Sequence, residues 1–364
     1  MKKILVLLFF IFSMTGCYDY KELNNLAIIS GIALDYDNAE NKYKLTFEIL
    51  NDDKVAENLE ASKKTYYVNG EGKSITEAFN NTSLEIPKIP YYSHIKSLII
   101  SEDIAQNHAK DFIDYLLRYS YVNNMFYLFV AKDYDASQIL KSTTTQNRII
   151  SESLYNLMDN TALGNSLAIN VNFEDYVELF VNPMQDIYLP SVTLENKKLK
   201  LQGVTIFEDN NLKEILDSNE TQTLNILFNK NKNAYYEFKC NDNEDKYVSI
   251  NIYSQKVDYK INQNKYEVTA NLMAKIEENQ CNYNLKDKNT YKKLQKKFNK
   301  EINDDIEKLL LKLKENNSDV LGINYKYFRN NNKKLDFSKL DYKVNTNVNV
   351  NKNGLTFEVK DDNK

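Results

Sequence analysis

The sequence predicts an α+β fold, with mixed sheets flanked by helices and spread over two to three domains. Three observations carry this. Short segments alternate apolar and polar residues with the period of two of a half-buried strand, as in KYKLTFEIL at 42–50. Other segments place apolar residues at three–four spacing behind a capping side chain, the pattern of an amphipathic helix. At 364 residues, the chain also exceeds what one hydrophobic core serves comfortably.

The first segment reads as a leader. Lys2 and Lys3 precede an unbroken apolar run from Ile4 to Phe12, shorter than the ~20 residues a spanning helix needs. Met14-Thr15-Gly16-Cys17 resembles the lipobox of bacterial lipoproteins. The resemblance implies cleavage before Cys17, a thioether from its thiol to diacylglycerol, and an N-palmitoyl group on its new amino terminus. The competing reading is an uncleaved signal anchor with an unmodified cysteine. The order of basic start, apolar run, small residues and cysteine favours lipidation.

After the leader, Leu26 to Leu34 and Lys42 to Leu50 predict a hairpin, followed by a short strand over 64–69. Ser74 with Glu77 forms a capping box for a helix whose inner face is Ile75, Ala78, Phe79 and Thr82. Pro87 and Pro90 interrupt the chain before a strand over 94–100. A helical region capped by Ser101 carries an apolar face of Ile104, Ala105, Phe112, Ile113, Leu116 and Leu117, and MFYLFVA at 125–131 is apolar enough for a strand covered on both faces. Strand, helix, strand in that order predicts a βαβ crossover. Helices are expected over 148–158 and 173–181, the latter capped by Asn172 and stopped by Pro183, with strands over 186–194 and 198–207.

The second half changes character. GVTIFEDNNLKEIL predicts a hairpin and residues 218–229 a short helix. Residues 234–276 predict a meander broken at NDNEDK, SQK and NQNK. The clearest helix is 290–316, where Tyr291, Leu294, Phe298, Ile302, Ile306, Leu309, Leu310 and Leu313 keep the helical rhythm and Asp304 faces Lys308. Residues 342–359 alternate again, with Asn353-Gly354 as a hairpin turn. The expected organisation is a signal peptide over 1–16, an N-terminal α+β domain over 17–196 and a C-terminal α+β region over 197–364. The last divides into a middle subdomain over 197–255 and a C-terminal domain over 256–364 that holds the long helix.

Charge and composition exclude several classes. The formal net charge is −4, and removing Lys2 and Lys3 with the leader leaves it near −6. A chain this acidic has no global attraction for nucleic acid or anionic headgroups, so its hold on a membrane has to come from acyl chains. No apolar run after Cys17 is long enough to cross a bilayer. With Cys17 acylated, Cys240 and Cys281 remain; their spacing alone does not place them within bridging distance, and two unpaired buried thiols are expected. His94 and His108 are the only histidines and form no metal-ligand pair. His94 reads as a packed or hydrogen-bonded residue. No nucleophile elbow, HExxH, phosphate-binding loop or dinucleotide fingerprint occurs. In the pairs Tyr66-Tyr67, Tyr91-Tyr92 and Tyr235-Tyr236, one ring of each is expected to pack inward. No catalytic residue, metal site or cofactor is assigned.

From Cys17 onward, Tyr18, Asp19, Glu22, Leu23, Ala27, Gly31, Ile32 and Asp35 resemble the opening of mature Ger(x)C proteins, the C subunits of spore germinant receptors. The resemblance continues through GKSITEAFNNTSL, YYSHIKSLIISEDIA, DFIDYLLR, LFVAKDYDASQIL and LPSVTLENKKLKLQGVTIFEDNNL, and ends in the long helix and DVLGINYKYFR at 319–329. It implies an elongated α+β lipoprotein of three mixed domains, without enzymatic activity or cofactor. Its site would be the extracytoplasmic face of the spore inner membrane, beside two integral-membrane partners, the A and B subunits. Such complexes sense small nutrients and commit the spore to germination. The only functional residue the resemblance carries over is Cys17. The alternative from another class is an extracytoplasmic solute-binding lipoprotein of an uptake system, built of two α/β lobes around a cleft.

Overall fold

The computed structural model describes residues 25–51, 65–119, 123–142, 149–164, 166–208, 211–230, 233–241, 245–262, 264–333 and 335–351. Its architecture is α+β, with two sheets and helices against both. The first sheet has nine strands: β1 (Leu26–Asp37), β2 (Lys42–Leu50), β3 (Thr65–Gly72), β4 (Ile89–Tyr91), β5 (Ser97–Ile100), β6 (Tyr127–Ala131), β7 (Ile187–Glu195), β8 (Lys198–Glu208) and β9 (Asn211–Leu216). Their spatial order is β3-β2-β1-β5-β6-β7-β8-β9, with β4 beside the start of β1. The middle of the sheet, β1-β5-β6-β7, is parallel, and an antiparallel hairpin closes each flank.

Helices cover both faces of that parallel centre, which is why its strands read as continuous apolar runs. Leu98, Ile100, Leu128 and Val130 point into a core shared with α1 (Ile75–Leu84), α2 (Glu102–Asn107) and α3 (Ala109–Arg118). Ile99, Phe129 and Ala131 point the other way, under α4 (Ala136–Leu140) and α5 (Ile150–Gly164). The expected crossover is present: β5 and β6 pair in parallel, with α2 and α3 between them in the chain. Caps stand where the side chains predict. Ser74 accepts from Glu77 N at 3.2 Å, although Glu77 reaches back to Lys73 N rather than to Ser74. Asn172 and Asp175 cap each other reciprocally at the start of α6 (Phe173–Val181).

The second sheet is β10 (Ala234–Lys239), β11 (Tyr247–Asn262), β12 (Lys265–Asn279) and β13 (Asp341–Asn351), in that order, with only β12 and β13 parallel. One helix after it, α8 (Lys288–Glu315), spreads its eight predicted apolar residues against the sheet, all of them buried. Phe238 and Phe298 meet with ring centroids 4.5 Å apart. α7 (Ser218–Leu227) links the sheets, and α9 (Ile323–Asn331) with a 3-10 turn over 337–339 leads into β13. Lys312 of α8 bonds back to Glu220 at 2.8 Å and lies 3.3 Å from Glu214, bracing the helix against β9 and α7.

Several expectations are corrected. SQK does not break the meander: β11 runs through 254–256, and a register shift between Ile252 and Ser254 absorbs the interruption as a bulge. The helix expected over 148–158 extends to Gly164. His94 is not packed inward but exposed in the turn before β5. Asn196 and Lys197, at the expected division of the chain, both have positive φ (49° and 63°) and form the two-residue turn between neighbouring strands β7 and β8. Residue 255 lies inside β11. Each tyrosine pair does divide as expected, with Tyr66, Tyr91 and Tyr235 exposed and Tyr67, Tyr92 and Tyr236 turned inward. The Asn353-Gly354 turn lies outside the described residues.

The cysteines are the plainest correction. Cys240 and Cys281 form a disulfide, with Cα atoms 5.5 Å apart. They sit just past the ends of β10 and β12, which flank β11 and finish at the same edge of the sheet: Cys240 N bonds to Lys246 O and Gln280 N to Tyr247 O. That proximity comes from strand register, not from sequence spacing. The crosslink spans 41 residues, so replacing both cysteines by serine is expected to lower unfolding free energy by about 2–4 kcal/mol. In urea denaturation, reductant should shift the wild-type midpoint toward that of the double variant and leave the variant unmoved.

Candidate functional site

Cys17 and residues 18–24 lie outside the described residues, so the structure takes up the opening motif at β1. There its remaining members share one task. Ala27 and Ile32 are buried in the core. Gly31, Ala33 and Asp35 alternate onto the face covered by α4 and α5, and Glu48 of β2 stands opposite Gly31 in register. A Cβ on Gly31 would lie 2.6 Å from Ser151 Cβ and 3.2 Å from Glu48 Oε2, so glycine is what lets α5 seat this closely.

Glu48 has no solvent exposure, and its carboxyl oxygens accept from the first amides of α5. Ile150 N donates at 2.8 Å and Ser151 N at 3.0 Å, joined by the hydroxyls of Ser30 (3.0 Å) and Ser151 (2.5 Å). Ser97 of β5 bonds to Ser151 O at 2.8 Å and ties the same turn to the next strand. Asp35 repeats the device one element along, accepting from Ala136 N at 2.7 Å and Ser137 N at 2.9 Å at the start of α4. Burial raises the Asp35 carboxyl above its ordinary value, and those two amides oppose the rise. The amides at a helix start have no partners within the helix, so a buried carboxyl that takes two of them both satisfies and positions the helix.

A second cluster joins the first sheet to the C-terminal segments. Asp186, just before β7, accepts from Ser318 Oγ at 3.0 Å and Asp319 N at 2.9 Å, while its own N–H donates to Asp319 O at 3.2 Å. Lys213 Nζ lies 3.6 Å from Asp186 and 2.6 Å from Glu208, and donates to Asn317 O at 2.7 Å. The Asp319 carboxyl turns inward and accepts from Ile323 N and Asn324 N, both at 2.7 Å, at the start of α9. Gly322 makes that turn with φ +63°, and Gln185 lies over it, bonded to Val320 O at 2.9 Å. Asp186, Lys326, Tyr266 and Tyr342 face Asp319 from four elements. Burial pushes the Asp319 carboxyl up to about 7 against the pull of its two amides. The Lys326 ammonium, lowered by burial, donates to Leu321 O at 3.0 Å and sits 5.1 Å over the Tyr259 ring. A cleft of about 390 Å³ opens beside this joint, lined by Phe180, Met184, Asp186, Glu208, Asp319 and Asn324 among others.

A wider groove of about 560 Å³ runs between the start of α1 and the length of α3, past Lys73, Lys110, Asp111 and Arg118. On its wall Tyr43 donates to Asp111 at 2.5 Å and lies 3.1 Å from His108 Nδ1, and His108 stacks on Tyr36 with centroids 3.8 Å apart. Burial, then Asp111, raises the Tyr43 phenol well above its ordinary value. Among the described residues, no group of three His, Cys, Asp or Glu side chains could hold a metal, and no helix is long and apolar enough to cross a membrane.

The ordered polar groups of this fold hold elements to one another, the pattern of a scaffold. Residues 19–194 match the family described as spore germination protein N-terminal domain, and residues 202–354 match spore germination B3/GerAC like, C-terminal. The chain belongs to the Ger(x)C family of spore germination proteins, which is not a known enzyme family. It is 26% identical over 344 residues to spore germination protein KC of Bacillus subtilis, covering 86% of this chain and 84% of that one. It is 22% identical over 371 residues to spore germination protein GerQC of Bacillus cereus, covering 98% and 100%. The crystal structure of the GerBC protein superposes with a TM-score of 0.53 at 17% identity, over 91% of this chain and 99% of that one, and shows the same fold.

Glu48, Asp186 and the inward role of Asp319 carry no local sequence signal, apart from the DVLGIN stretch in which Asp319 falls. Two outcomes follow from their geometry. Glu48→Ala orphans buried donors at about 1–3 kcal/mol each and should destabilise the fold by about 3–5 kcal/mol in urea unfolding, with Glu48→Gln losing less. Asp319, whose folded value lies above its unfolded one, favours the fold most below pH about 4 and loses that contribution as pH rises through about 7. The stability of wild type relative to Asp319→Asn should therefore fall between pH 5 and pH 8; an unchanged difference would show that Asp319 does not titrate there.

Proposed function

We propose that this protein is the lipid-anchored C subunit of a spore nutrient-germinant receptor. It is held by Cys17 at the extracytoplasmic face of the spore inner membrane and acts without catalysis beside integral-membrane A and B subunits in receptor assembly or signalling. The observation that carries this is the tandem family match, which begins two residues after Cys17 and runs almost to the end of the chain. The Cys240–Cys281 disulfide supports an extracytoplasmic address, because such bonds persist in oxidising compartments. The solute-binding alternative calls for two α/β lobes, whereas the second sheet here is a meander closed by one parallel strand. The division into residues 17–196 and 197–364 also stands as a proposal, supported by the gap between the two matches and crossed by the β7–β8 hairpin.

Cys17→Ala tests the anchor. The expected result is a precursor that keeps its leader, or a chain released from the membrane fraction, with germination slowed in response to one class of nutrient. The two chains of the diacylglycerol group matter because one acyl chain gives only marginal binding, at about 0.8 kcal/mol per buried methylene. Immunoblots of membrane and soluble fractions, read beside spore optical density in a strain lacking redundant receptors, check both parts. A processed variant retained in the membrane with full activity would remove the thioether from the mechanism.

A further inference from the structure

The start of β1 carries an apolar face that nothing among the described residues covers. Leu26 pairs with Ile89 and Ile28 with Tyr91 in the short parallel ladder of β1 and β4. Residues paired in this way project to the same side of a sheet. Leu26 and Ile28 are half-buried, while Ile89 is 49% and Tyr91 41% exposed. Ala27, between the two β1 residues, is buried in the core, so this strand end is ordered and amphipathic. The face lies where the chain arrives from Cys17: eight residues lie between Cys17 and Leu26, a reach of at most about 32 Å.

We propose that Ile89 and Tyr91, beside Leu26 and Ile28 of β1, form a membrane-contact face that inserts at the headgroup–acyl boundary of the bilayer carrying the anchor and fixes the orientation of the body above it. The proposal rests on the lipidation of Cys17 argued above. Its chemistry suits an interface: a tyrosine with a polar tip, aliphatic neighbours, and Lys88 beside them to reach back to the headgroups. The acidic net charge gives the body no global attraction to anionic headgroups, so the contact relies on apolar area. A few side chains are too little area to hold a protein on a bilayer alone. Tethered by an anchor, they see a high local concentration of lipid and need only select one orientation.

The test uses the full-length lipidated protein carrying Ile89→Cys. With Cys17 acylated and Cys240 bonded to Cys281, the introduced thiol is the one that takes an environment-sensitive maleimide dye. Tyr235→Cys in the second sheet, of similar exposure at 46%, is the reference. In phosphatidylcholine vesicles containing brominated lipid, dye at position 89 should be blue-shifted and quenched several-fold more strongly than dye at position 235. Equal quenching at both sites, with the protein still in the vesicle pellet, would overturn the contact face and leave the anchor standing. Protein left in the supernatant would overturn the anchor, and this proposal with it. A blue-shifted but unquenched dye at position 89 would assign the face to residues 18–24 of the chain itself. Protection of the Ile89→Cys thiol from soluble maleimide in spore membranes, but not in lipid vesicles, would assign it to a protein partner. Both outcomes overturn contact with lipid.

Discussion

A buried carboxyl at a helix start is the interaction on which the first sheet depends. Glu48 takes the first two amides of α5 together with two hydroxyls, in a place with no solvent access. None of those donors has water as an alternative partner, so displacing the carboxyl would leave several polar groups unmet at once. The geometry also demands Gly31 directly opposite, because any larger residue would push Ser151 off the sheet. With the helix start fixed, Ile150, Leu154 and Met158 fall onto Phe129 and Ile99, and the second face of the parallel centre is closed.

The same device recurs at Asp35 for α4 and at Asp319 for α9. At Asp319 it does more, because the residue that caps α9 also accepts from Asp186 N–H at its backbone carbonyl and donates its own N–H to the Asp186 carboxylate, and Asp186 leads straight into β7. The first sheet and the C-terminal segments are therefore joined by polar bonds between residues more than 130 positions apart. Lys312, bonded to Glu220 beside Glu214, makes a second such tie on α8. Apolar packing alone would let these parts slide. Directional bonds in low dielectric hold one registration.

Local features were legible in the sequence because they follow from short-range physics. The caps at Ser74 and Asn172, the apolar stripe of α8 and the βαβ order all depend on residues a few positions apart. What was not legible depends on pairing between distant segments. In KYKLTFEIL, strict alternation assigns Glu48 to the same polar side as Lys42 and Lys44, the solvent side of a half-buried strand. The strand is covered on both faces at that point, so its outward position becomes a fully buried acid. The disulfide leaves no trace in the sequence for the same reason, since only the register of β10, β11 and β12 brings Cys240 to Cys281. SQK looked like a break because a bulge shifts the phase of alternation without ending the strand.

The opening motif condenses two demands into one stretch of chain. β1 lies between β2 and β5 near the middle of the sheet, so the segment that leaves Cys17 becomes a central strand within ten residues. On the proposed tether, no flexible domain intervenes between membrane and core. Residues that seat α4 and α5, Asp35 and Gly31, lie on the same strand whose first residues border the proposed bilayer contact. A shift of the body relative to the membrane would act first on β1, and through it on the Glu48 cluster. A motif that joins Cys17, the proposed acylation site, to Ala27, Gly31, Ile32 and Asp35 over a short stretch is what such a direct mechanical link requires.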